Sequence, residues 1–168
     1  FGKLWNAGQT CVAPDYLYLP RGKTAEFIRC YKAVVKSMYP SLKDNPDYTS
    51  IINDKQNRRL QGYLDDALKN GAQSVEVNPR NEDLTAVRKL APTILTGVTA
   101  DMEIMKNEIF GPILPILEYD QIDEVIEFIN DRPRPLALYY FDFNDARAEY
   151  VAQRTHSGHF GQNAVVTH

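Results

Sequence analysis

A chain of 168 residues that is 43% apolar is long enough for one domain with a real core. Its 19 basic and 22 acidic residues are well mixed and leave a net charge of −3, which gives no electrostatic footprint for nucleic acid or an anionic membrane. A small molecule or a protein is therefore the expected partner. No apolar run approaches the roughly 20 residues of a membrane span, no leader pattern opens the chain, and two cysteines make no disulfide framework, so the cytoplasm is the default expectation. The chain starts at Phe1 without Met and stops at His168 inside an apolar run, Ala164 to Thr167, as a piece of a longer protein would.

In chain order, Gly2 to Ala7 reads as a helix, and the alternation through Tyr16, Leu17, Tyr18 and Leu19 reads as a strand ended by Pro20. Phe27, Tyr31, Val34, Val35 and Met38 repeat at helical spacing and predict a helix over residues 23 to 39, with Cys30 packed within it. Residues 40 to 46 read as a loop. A second helix is expected from Asp54 to Asn70, with Leu60, Leu64, Ala67 and Leu68 on its buried side and Gly71 as its stop. Short strands follow at Gln73 to Val77 and Thr93 to Leu95. Between Gly97 and Asn107 no pattern stands out. Ile113, Leu114, Ile116 and Leu117 form a strand that Pro115 interrupts, which predicts an edge or irregular position. Asp120 reads as the N-cap of a helix whose inward face is Ile122, Val125, Ile126 and Ile129. Leu136 to Phe141 reads as a buried strand, Ala146 to Arg154 as a short helix, Thr155 to Asn163 as a loop, and Val165 to Thr167 as a final strand. Strand and helix alternate without an internal repeat, so the expected fold is one α/β layered domain with a mostly parallel sheet and flanking helices.

Three stretches could carry chemistry. Asn6, Ala7, Gly8, Gln9, Thr10 and Cys11 place a thiol just after a glycine among small and polar neighbours, a setting in which backbone N–H groups can face a reactant. The competing reading is a thiol packed as a small hydrophobe. Glu108 to Pro112, reading EIFGP, forms a stiff turn that can aim a carboxylate at hydroxyl groups and lay a ring against a flat ligand; as a plain turn, Phe110 is core and Glu108 is solvated. Thr155 to Asn163, reading THSGHFGQN, is a loop with two glycines that could approach a ligand closely. The spacing of His156, His159 and His168 matches no closed zinc pattern, so no metal is expected. Neither GxGxxG nor GxxxxGK[ST] occurs.

Taken together, NAGQTC at 6 to 11, EIFGP at 108 to 112 and SGHFGQN at 157 to 163 resemble the catalytic domain of the NAD(P)-dependent aldehyde dehydrogenase superfamily, in order and in separation, through essentially the whole chain. APDY after the cysteine and PLALYYF at 135 to 141 lean towards the class 3 branch, which includes fatty and aromatic aldehyde dehydrogenases. The resemblance implies that Cys11 is the nucleophile. Its thiolate adds to an aldehyde carbonyl to give a thiohemiacetal, hydride passes to the nicotinamide of NAD or NADP, and water cleaves the thioester that remains. It further implies that the Cys11 backbone N–H donates to the oxyanion, that Glu108 holds the nicotinamide ribose hydroxyls, and that Phe110 packs beside the nicotinamide. Asn163 is carried over to the substrate side, and Phe160, a ring flanked by glycine, to the substrate channel.

The chain departs from the family pattern at His159, which follows Gly158 where paired glycines are usual, and at Asn107, where a second acid is common. In the family, the Rossmann-type cofactor domain, the general-base glutamate and a second oxyanion donor, an asparagine, precede the region matched by Phe1. A glycine-rich motif and an oligomerising strand follow the region matched by His168. Residues 1–168 are thus expected to be the nucleophile-bearing domain alone, inactive in isolation, from a homo-oligomeric whole. Two other readings stay open: a cysteine hydrolase in which Cys11 pairs with His156 or His159, and a binding or assembly module without catalysis.

Overall fold

The computed structural model describes residues 1–166; Thr167 and His168, and with them the end of the expected final strand, lie outside the described residues. Six strands and four α-helices are laid down as β1 (Leu17–Pro20), α1 (Thr24–Met38), α2 (Asp54–Lys69), β2 (Gln73–Glu76), β3 (Thr93–Thr96), β4 (Ile113–Tyr119), α3 (Ile122–Asn130), β5 (Ala137–Tyr140), α4 (Asp145–Arg154) and β6 (His159–Gln162). The larger sheet has the order β1-β4-β3-β2, with β1 and β3 parallel to β4 and β2 antiparallel to β3. A separate parallel pair joins β5 to β6. The α/β class and the mostly parallel sheet expected from the sequence are both present.

The helix ends follow from local chemistry. Asn53 caps α2 by accepting from the Gln56 N–H at 2.9 Å, Asp54 and Lys69 lie at the ends the macrodipole favours, and Gly71 leaves the helix at a φ of +96°. Asn144 caps α4 in the same way, accepting from the Arg147 N–H at 3.1 Å. At α3 the cap is Gln121 rather than Asp120. The Glu124 carboxylate reaches back to the N–H groups of Asp120 and Gln121, both at 3.3 Å, while the Asp120 carboxylate is occupied by Arg21 at 2.6 Å.

Two further expectations are corrected by strand pairing. β4 is central rather than an edge, because Pro115 sits where the strand changes partner: its ladder with β3 ends at Leu95↔Pro115 and its ladder with β1 begins at Leu17↔Ile116. A missing N–H costs least at that handover. The expected loop from Thr155 to Asn163 contains β6, whose mixed glycine and polar content gave no strand pattern but which pairs with β5 from Ala137↔His159 to Tyr140↔Gln162. The expected helix at Gly2 to Ala7 is only a 3-10 turn, Trp5–Gly8, because Asn6 and Ala7 take left-handed φ values of 53° and 52°. Cys30 lies on α1 but is exposed, one turn from the exposed Val34, since α1 buries Val35 on its other side.

The main core gathers Val35 of α1, Leu60 and Ala67 of α2, Leu95 of β3, Ile113 of β4, Ile104 of a 3-10 turn and the loop residues Leu4, Leu42, Tyr48, Ile51 and Ile109. A smaller cluster, Ile126, Leu138 and Val151, joins α3, β5 and α4, with Phe160 and Tyr140 against it. No helix among the described residues is long and apolar enough to cross a membrane.

Candidate active site

The thiol stands at a corner. The Ala13 N–H donates to the Thr10 carbonyl at 3.0 Å, closing a turn with Cys11 and Val12 at its centre, and Cys11 is exposed. Among the described residues the Cys11 N–H has no hydrogen-bond acceptor, so it is free to donate to an incoming oxyanion. The loop is anchored by the buried Gln9, whose amide donates to the Ser50 and Asn6 carbonyls, each at 3.1 Å, and accepts from the Ile52 N–H at 2.9 Å. Ahead of it, Asn6, Ala7 and Gly8 are all left-handed, Gly8 at a φ of 74°. A Cβ on Gly8 would collide with the Gly111 carbonyl.

That collision locates the second motif. EIFGP begins where the 3-10 turn Glu103–Met105 has ended, and its glycine packs directly against the thiol loop. Gly111 is itself pressed on α2, since a Cβ there would lie 2.6 Å from the Leu60 methyls. Asp15, four residues after the thiol, accepts the Ile109 N–H at 3.1 Å. Arg59 of α2 donates to the carbonyls of Glu108 at 3.0 Å and Ile109 at 2.7 Å. Phe110 is half-buried and held at a φ of +49°, a region that a bulky residue avoids and that costs of order 1–3 kcal/mol. The Glu108 carboxylate is exposed and makes no hydrogen bond among the described residues.

Beneath these turns lies Lys3, 5% exposed, its Nζ without a hydrogen-bond partner. Burial pushes its ammonium down to about 8, against the pull of the Asp15 and Glu108 charges. The Asp15 carboxyl is pushed up by the same burial, and Lys3, the N–H groups of Ile109 and Phe110, and Arg59 pull it back. Lys3, Asp15 and Arg59 escape a reading of the sequence. The one signal was a charged side chain inside the apolar opening Phe1 to Trp5, while Arg59 looks like any solvated helix residue.

The β5–β6 pair, whose second strand lies in the third motif, is tied to the chain just after the thiol. The Tyr139 hydroxyl of β5 donates to the Val12 carbonyl at 2.9 Å, and burial pushes that phenol up. A Cβ on Gly2 would lie 2.7 Å from a Val165 methyl, so the segment after β6 also packs against the chain's opening. Phe160 is half-buried on the smaller core, its ring stacked 6.5 Å from that of Tyr140. Asn163, left-handed at a φ of 56°, uses its amide to donate to the Asp142 carbonyl at 2.8 Å and to accept the Asp142 N–H at 3.1 Å, which fastens the end of β6 to the end of β5. His156 lines a groove at the C-terminal ends of α3 and α4 with Asn130, Arg132 and Arg154, none of them in the thiol loop. His159 is half-buried in β6. Among the described residues no three His, Cys, Asp or Glu side chains are grouped to hold a metal.

Residues 1–168 match the model of the aldehyde dehydrogenase family. A coniferyl aldehyde dehydrogenase of Pseudomonas sp. is 45% identical over 168 residues, covering 99% of this chain and 35% of that protein. Aldehyde dehydrogenase family 3 member A2 of the mouse is 41% identical over 169 residues, covering 100% of this chain and 33% of its own length. A Staphylococcus aureus protein named AldH, solved in a substrate-bound state, superposes with a TM-score of 0.89 at 37% identity, over 99% of this chain and 35% of that one. The chain thus spans about a third of the length of these relatives. A thiol loop and an EIFGP turn packed glycine against glycine, matched along all 168 residues, make the chain a member of the aldehyde dehydrogenase family.

Proposed function

We propose that this chain is the nucleophile-bearing domain of an NAD(P)-dependent aldehyde dehydrogenase acting on an aromatic or long-chain aldehyde, coniferyl aldehyde being the model substrate. The observation that carries this reading is the contact of the Cys11 loop with the EIFGP turn through Gly8 and Gly111, backed by the Asp15 to Ile109 hydrogen bond. One turn presents a thiol and an unoccupied N–H, and the turn beside it presents an exposed carboxylate.

Cys11 sulfur, as thiolate, forms a bond to the carbonyl carbon while the carbonyl π pair moves to oxygen, and the Cys11 N–H donates to that oxyanion. The residues at the EIFGP turn suit a nicotinamide nucleotide. Glu108 has free acceptor oxygens for the two ribose hydroxyls, and Phe110 offers a ring on a backbone that cannot swing away. What such a cofactor supplies when bound is an acceptor for the hydride on the former carbonyl carbon. Cys11 then carries the acyl group as a thioester, whose C–S bond breaks when water adds its oxygen, releasing the acid and returning the thiolate. Asn163 and Phe160 belong to the substrate side in this reading, acting through the β5–β6 pair they organise rather than by free side chains. A cytoplasmic homo-oligomer is the setting in which the whole protein would work.

The test is made in a full-length protein that carries this chain. Cys11→Ala should abolish NAD(P)H formation from an aromatic aldehyde while leaving nucleotide binding unchanged. The chain alone should turn over negligibly. Turnover that survives Cys11→Ala overturns the reading.

A further inference from the structure

Resting on the assignment of Glu108 to the ribose, we propose that Arg59 is a positioning residue for that carboxylate: from α2 it fixes the backbone under Glu108 and so sets nucleotide affinity without touching the nucleotide. Two successive peptide planes are gripped at both ends. The Glu108 and Ile109 carbonyls each accept from the Arg59 guanidinium, at 3.0 and 2.7 Å, while the Ile109 and Phe110 N–H groups face the Asp15 carboxylate, the first at 3.1 Å. Charge-assisted bonds of this kind are the stronger class, and a planar guanidinium presents its donors in a fixed fork.

Arg59 is itself held in one rotamer by its own helix. Its Nε donates to Gln56 Oε1 at 2.6 Å, its Nη1 to the Tyr63 hydroxyl at 3.1 Å, and its guanidinium lies 5.1 Å from the Tyr63 ring centre. Gln56, Arg59 and Tyr63 fall on one face of α2, spaced by three and four residues, so the helix acts as a rigid bracket. The bracket stabilises an otherwise strained turn, since it seats Phe110 at a φ of +49°. The Glu108 side chain takes no part in the grip. Its carboxylate stays exposed while its main chain is immobilised, which is the arrangement that pre-organises a ligand contact.

The experiment compares Arg59→Met, Arg59→Lys, Glu108→Gln and the double variant Arg59→Met with Glu108→Gln, in a full-length protein carrying this chain, by steady-state kinetics with NAD or NADP and an aromatic aldehyde. Arg59→Met is expected to raise the KM for the nucleotide about tenfold, with the aldehyde KM and the rate of Cys11 alkylation unchanged, and Arg59→Lys to recover part of the loss. The double variant should be no worse than Glu108→Gln alone, because the two residues act in series. Four results would overturn the proposal: a nucleotide KM that rises in Glu108→Gln but not in Arg59→Met; nucleotide and aldehyde KM rising together with a lowered unfolding temperature; multiplying effects in the double variant, which would mean direct contact with the nucleotide; and a nucleotide KM unmoved by Glu108→Gln, which would remove the ribose assignment itself.

Discussion

The two sheets of this molecule are stabilised differently. The four-stranded sheet rests on a wide apolar core in which Leu42, Leu60, Leu95 and Ile113 are fully buried. The β5–β6 pair shares a smaller cluster, whose buried members are Ile126, Leu138 and Val151, leaves Leu136, Phe141 and Phe143 exposed, and is fastened at its ends by polar bonds from Asp142, Asn163 and Arg147. The thiol loop runs between them: Gly8 bears on the EIFGP turn beside the larger core, and Val12 is tied to Tyr139 of the smaller sheet. Cys11 and Glu108 thus share the side of the larger core, and the side carrying Phe160 is the one with less buried apolar area behind it. On the proposed function, a substrate wall on the lightly packed sheet could vary while the chemistry beside the dense core stays fixed.

The sharpest way to break this contrast is Gly8→Ala. The new methyl would meet Gly111 backbone at a φ of 74°, so the thiol loop and the EIFGP turn must separate, costing about 3 kcal/mol or more in unfolding experiments and abolishing turnover. Gly22→Ala is the control, with a φ of 82° but open space around it, and should cost only about 1 kcal/mol. Equal losses in the two variants would show that the motifs are not pressed together. Leu60→Ala and Leu138→Ala then compare the two cores. The first empties the space under Gly111 and should cost about 2–5 kcal/mol with a fall in nucleotide affinity, and the second should cost less and leave nucleotide KM unchanged.

A smaller effect tests the buried charge. With Lys3 lowered from 10.5 to about 8 in the folded chain, the unfolded chain binds the extra proton between those values, so stability rises with pH across that window. Below pH 8 the folded protein bears the full cost of an unpaired buried ammonium. Lys3→Met should therefore stabilise the protein at pH 7 by up to about 3 kcal/mol and give no advantage above pH 10.5, as read from urea unfolding at both pH values. An advantage independent of pH would mean that packing, not charge, is what changes.

Much of this was legible because it is local. Helical spacing located α1 and α2, and Gly71 bounded α2. Most of the failures are long-range. Pro115 signals a disrupted ladder, yet only the register with both neighbours shows that its lost N–H falls where one partner ends and the other begins. β6 has no alternating pattern because glycine, histidine and glutamine gain their strand conformation from pairing with β5. The exposure of Cys30 depends on which face of α1 meets the core, and that face carries Val35, Tyr31 and Met38. At the site, Cys11 and Glu108 stood out by motif, whereas Asp15, Arg59 and Tyr139 matter through bonds to distant backbone, and Lys3 through its burial, which no spacing encodes.

The measurement closest to the central claim is a quenched reaction of a full-length protein carrying this chain with an aromatic aldehyde and NAD or NADP, followed by peptide mass spectrometry. The expected result is an acyl group on the peptide containing Cys11, none on the peptide containing Cys30, and loss of the adduct in Gly8→Ala. Turnover without an adduct on Cys11, or equal labelling of the two exposed thiols, would contradict it.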